Sequence, residues 1–171
     1  MGYISFVGSF ALNRPLDAQT TQLLKGLNET RRCTRRDVSK ALYGVDGELY
    51  CGTLPPAYTL GVDYHRPPGG QPGLHCRWRP NDAGTAIEWD GVETFTHYIE
   101  WIEYLIARVL RPQKYILNGT VQWSGAGRED LGKIIIVNNI VRVKVAKIIY
   151  VSRNKKGQVG SAKSQPAHVV E

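Results

Sequence analysis

The chain has 171 residues, 42% of them hydrophobic and 22% charged, enough for one packed core and too few to make two domains the default. No run approaches the roughly 20 consecutive apolar residues of a bilayer-spanning helix, and "MGYISFVGSFALNRPL" has neither a basic start nor a continuous apolar stretch, so no secretory leader is expected. A soluble cytoplasmic protein follows, and the net charge of +7 favours an anionic partner.

In chain order, "YISFVGSFAL" (3–12) sets Ile4, Phe6, Phe10 and Leu12 against Tyr3, Ser5, Val7 and Ser9, the period-two pattern of a half-buried strand, with Gly8 marking a bulge. Asp17 is a sound N-cap for a helix whose Thr20, Leu23, Leu24 and Leu27 share one face. Residues 37–73 are punctuated by Gly and Pro and predict a long surface excursion. Next, 74–79 and 85–89 read as a hairpin. "ETFTHYIEWIEYLIARVL" (93–110) predicts a helix with Phe95, Tyr98, Ile99, Ile102, Leu105, Ile106 and Val109 inward, capped near Asp90 and ended by Pro112. "KYILNGTVQWSG" is strand-like, with Asn118-Gly119 as a bulge. In "GKIIIVNNIVRVKVAKIIYV", Asn138-Asn139 separates two β-branched runs by the two residues of a type I′ turn. The expectation is a single α+β domain over 1–151, a largely antiparallel sheet with two main helices on one face, and a basic tail over 152–171.

Conventional catalytic chemistry finds little footing. His65, His75, His97 and His168 are scattered, no phosphate-cradling Gly-rich loop follows a strand, and no nucleophile elbow occurs. Cys33, Cys51 and Cys76 are odd in number and widely spaced, as for reduced structural thiols. No metal or other cofactor is expected. Glu88, Asp90 and Glu93 are the one carboxylate group with a possible Mg²⁺ or acid/base role, against the simpler role of capping the following helix.

Two surfaces stand out. The outward side of helix 93–110 collects His97, Glu100, Trp101, Tyr104 and Arg108; either the long loop covers it, or it takes a ligand or a protein partner, for which aromatic residues with Arg are the enriched types. The basic run Arg142, Lys144, Lys147, Arg153, Lys155 and Lys156 is either a charge-protected edge strand or a track for a phosphate backbone. The cluster Arg31, Arg32, Arg35, Arg36 and Lys40 has the same two readings, with the solvated face the simpler.

Over most of residues 2–143, "GYISFVGSFALNRPL", "PPGGQPGLHCRWRPNDAGTAIEWDGVETFTHYIEWIEYLI" and "YILNGTVQWSG...LGKIIIVNNIVRV" resemble a family of small uncharacterised proteins encoded by bacteriophages and bacterial genomes. The chain departs from that pattern at "SGAGRED", where the family is more acidic, and in its basic tail. The resemblance implies a phage-type accessory role in a bacterial host and brings no activity with it. The expected function is non-enzymatic binding of an anionic ligand, nucleic acid or a nucleotide, in one form sequestering a host defence signal. The alternatives are a protein-protein adaptor or inhibitor using the outer face of helix 93–110, and a carboxylate-dependent hydrolase.

Overall fold

The computed structural model describes residues 3–52 and 61–152. It is a single α+β domain whose main sheet has six antiparallel strands in the order β4-β5-β1-β6-β7-β8. These are β1 (Ile4–Leu12), β4 (Trp78–Pro80), β5 (Ala86–Trp89), β6 (Leu117–Gly125), β7 (Leu131–Val137) and β8 (Ile140–Val145). The short strands β2 (Thr34–Arg35) and β3 (Val62–Asp63) form a separate pair. The helices are α1 (Ala18–Glu29), the single turn α2 (Lys40–Tyr43) and α3 (Tyr98–Leu105).

Alternation in β1 sends Ile4, Phe6 and Phe10 into the core and leaves Ser5, Val7 and Ser9 exposed. Phe6 sits at the centre of an aromatic cluster, with Trp78, Trp89, Phe95 and Tyr98 ring centroids 5.1–5.9 Å away. Both predicted bulges are absent: β1 and β6 pair one-to-one from Ile4↔Gly125 to Leu12↔Leu117. The glycines serve close approach instead. A Cβ on Gly119 would lie 2.8 Å from the Ser9 carbonyl oxygen, and one on Gly132 would lie 2.1 Å from the Trp123 ring. Asn138 and Asn139 have φ of 50° and 65°, the left-handed pair that a type I′ hairpin requires.

Asp17 caps α1 as its sequence position suggests, with Oδ1 accepting from the Thr20 N–H at 2.7 Å. The Tyr115 hydroxyl donates to Oδ2 at 2.8 Å, tying α1 to the approach to β6. Helix 93–110 is shorter than its periodicity implies. It begins at Tyr98, because His97 is left-handed (φ 56°, ψ 33°), and Phe95 instead enters the aromatic cluster from an irregular segment. From Ile106 to Leu110 the helix widens into a π turn, and Pro112, with no N–H to donate, follows. Asp90 caps no helix; it accepts from the Val92 N–H. The tail from 153 onward lies outside the described residues, and so do Arg153, Lys155, Lys156 and His168.

Hydrogen bonds from the Thr20 backbone, then the Tyr115 and Thr20 hydroxyls, hold the Asp17 carboxyl at about 2, below its ordinary 3.8. A folded-state value below the unfolded one means stability that is fully present above the unfolded value and lost as pH falls through the folded one. Replacing Asp17 by Ala is expected to lower the urea midpoint by a constant amount above about pH 5, with the gap to wild type closing between about pH 4 and pH 2. Urea titrations of both proteins across that range check this.

Candidate functional site

The outward face of α3 is built over rather than open. The chain returns across it twice, at Glu48 and at Gln71, both buried. Gln71 donates to the Tyr104 hydroxyl at 3.1 Å, and that hydroxyl donates to Glu48 Oε2 at 3.3 Å. Arg108 forms an ion pair with Glu48 Oε1. Burial pushes the Tyr104 phenol up, and the Glu48 carboxylate beside Arg108 holds its guanidinium charged.

Beneath these contacts Trp101 is fully buried, edge-on to Tyr104 at 5.5 Å. It therefore offers no ring face to a ligand, which removes Trp101 from the ligand surface considered on this side of the helix. What remains is an open recess of about 790 Å³, lined among others by His97, Glu100, Glu103, Tyr104, Arg108 and Glu48. Four of the five residues singled out from the sequence thus share one recess. Its charge is the opposite of the one expected, because three carboxylates face a single guanidinium already committed to one of them. A phosphate there would meet net repulsion.

The arginine cluster also changes role. Arg32 is fully buried and acts as an internal clamp: Nη2 donates to the Glu48 carbonyl at 2.7 Å, Nη1 to the Tyr50 carbonyl at 2.6 Å, and Nε to Gln71 Oε1 at 3.0 Å. Arg35 is buried as well, stacked 4.1 Å over the Tyr50 ring. Arg36 and Lys40 remain on the surface. Nothing local in "TRRCTRR" distinguishes the buried arginines, since the carbonyls that satisfy Arg32 arrive from residues 16 and 18 positions away.

The basic strand is open. Arg142 and Lys144 project from the face of the sheet opposite the core and are exposed, as is Lys147 beyond the strand. They gain a neighbour that was not singled out, Lys133, which lies directly across from Lys144. That pairing was recoverable, because stepping outward from the Asn138-Asn139 turn brings 133 opposite 144. Across the sheet the row continues to Gln122 on β6 and Val7 on β1. The next row holds Ser9, Thr120, Ile135 and Arg142.

Two of the three carboxylates considered for metal or acid/base work are engaged in ion pairs. Arg79 pairs with Glu88 at 3.2 Å, and Arg77 with Asp90 at 3.4 Å. Asp90 also accepts from Asn28. Glu93 is exposed, and its carbonyl accepts from the Ile4 N–H. Among the described residues no group of three or more His, Cys, Asp or Glu side chains converges on a common point. The three cysteines are unpaired, and burial pushes the Cys76 thiol up to about 12. No helix among the described residues is long and apolar enough to cross a membrane. No family model, curated protein or solved structure matches this chain.

Trp101→Ala is expected to destabilise the fold by about 3–5 kcal/mol, the usual cost of truncating a buried Trp. Tyr104→Phe, which removes only a hydroxyl between Gln71 and Glu48, should cost about 1–3 kcal/mol. Chemical unfolding of the two variants checks the order, and a neutral Trp101→Ala would mean that this face is open.

Proposed function

We propose that this protein is a non-enzymatic binder of nucleic acid that holds the phosphate backbone on the open face of its sheet. The observation that carries the reading is an uncompensated cation cluster. Lys133 and Lys144 are directly opposed, with Arg142 two residues along the same strand, and no Asp or Glu occurs anywhere in β1, β6, β7 or β8. Like charges in direct cross-strand register are destabilising. Phosphates would relieve that repulsion and release their counterions. The net charge of +7 adds long-range attraction for a polyanion. An accessory role in a phage or mobile-element setting is the context that the resemblance offers.

The narrower idea of a nucleotide signal sequestered against α3 loses its basis in the acidity of that recess. A second reading survives there on one observation: His97, Glu100 and Glu103 are exposed around the mouth of the recess. A protein partner presenting Lys or Arg would fit that charge, which is the adaptor role in altered form.

The test is salt-dependent binding of a labelled 12-nucleotide oligomer. Wild type should lose affinity steeply with ionic strength. The triple variant Lys133→Gln, Arg142→Gln, Lys144→Gln should flatten the slope of log K against log salt by about 2–3, as expected for losing three phosphate contacts. An unchanged slope with unchanged affinity would move the binding surface elsewhere.

A further inference from the structure

Resting on the reading of the sheet face as a nucleic-acid surface, we infer that its ligand is single-stranded, with the backbone held by the cations of β7 and β8 and the bases laid inward over the apolar side chains of β7 and the polar ones of β6. Three features of the face lead there.

The first is asymmetry. The three cations of the face that lack a carboxylate partner lie on its last two strands, whereas Arg79 on β4, at the other edge, is paired with Glu88 on β5. The neighbouring strands offer uncharged hydrogen-bonding groups in the same rows: Gln122 and Thr120 on β6, and Ser9 on β1. A duplex carries phosphates along both sides of each groove and is held by cations on both sides. A single strand has phosphate on one side and base on the other.

The second is apolar exposure between those polar groups. Val7 and Leu131 are exposed on this face, and Ile135 is half-buried between Lys133 and Val137. The sugar-phosphate exterior of a duplex has no use for such a floor. An unpaired base has an apolar face to set on it and a polar edge to bond beside it.

The third is a groove of fitting size. A depression of about 550 Å³ runs along β6, β7 and the end of β8, lined by Thr120, Gln122, Leu131, Lys133, Ile135 and Lys144 among others. That volume falls in the range of small-ligand sites and suits one nucleotide unit. Its walls divide by chemistry: Lys133 and Lys144 for the phosphate, Leu131 and Ile135 for the face of the base, and the Gln122 amide with the Thr120 hydroxyl for its edge. Gln122 can donate and accept at once, so it can bond the unpaired edge that a duplex conceals.

Fluorescence anisotropy with a 12-nucleotide DNA, the RNA of the same sequence and the duplex of each tests this on the full-length protein. Both single strands should bind at least tenfold more tightly than their duplexes at low salt. The double variant Gln122→Ala, Thr120→Val should weaken single-strand binding about tenfold while leaving duplex binding and the salt slope unchanged, since both residues are exposed and uncharged. Circular dichroism of the variant should match wild type. Equal affinity for duplex and single strand, or a double variant that binds like wild type, would overturn the inference and leave the proposed function intact. Failure of every oligomer to bind at low salt would overturn both.

Discussion

The sheet depends on a steric condition between β6 and its two neighbours, β1 and β7. Phe10 lies opposite Gly119, and Trp123 lies opposite Gly132. A side chain on either glycine would collide with the adjoining strand or with the indole itself. With glycine in place, a nine-residue ladder closes in continuous register between β1 and β6, and the large rings stack into one layer with Trp78, Phe95 and Tyr98. One face of the sheet is thereby filled by aromatic bulk under α1 and α3. The other face carries small polar side chains, a few aliphatic ones, the Arg79–Glu88 pair on β4 and β5 and three unpaired cations on β7 and β8, and no other described element covers it.

A second fixed point sits on the far side of the core. The buried Arg32 guanidinium holds the carbonyls of Glu48 and Tyr50 and the amide of Gln71, drawing two stretches of the Gly/Pro-rich segment onto α3. Taking a guanidinium out of water is costly unless its donors are satisfied, and burial pushes its proton affinity down. Each of its three nitrogens finds an acceptor. Glu48 then turns its carboxylate toward Tyr104 and Arg108, so that the outer side of α3 becomes second-layer core below an acidic recess.

These two anchors help sort the molecule's cations into buried, paired and free. Arg32 and Arg35 are withdrawn from solvent, and Arg77, Arg79 and Arg108 are matched by carboxylates. The unmatched cations of the main sheet, Lys133, Arg142 and Lys144, are left on its open face, while Glu48, Glu100 and Glu103 collect around the recess beyond α3.

The fold class was readable in the residues because its signals are local. Alternation in β1, the Asp17 cap, the Asn138-Asn139 turn and the apolar stripe through Ile102 and Leu105 each follow from spacings of a few residues. The outward direction of Arg142 and Lys144 was legible for the same reason. The rest rests on contacts between distant segments. His97 could be seen as polar, but not as the left-handed residue that shortens the helix. Trp101 could be placed on the outer side of α3, but whether that side was covered depended on where residues 48 and 71 returned. Arg32 looked like its solvated neighbours, because the sequence at 31–36 holds no record of the carbonyls that would meet it. Periodicity tells which way a side chain points from its own element, whereas only the assembled chain decides what stands opposite, and that decides whether a charge is buried, paired or free.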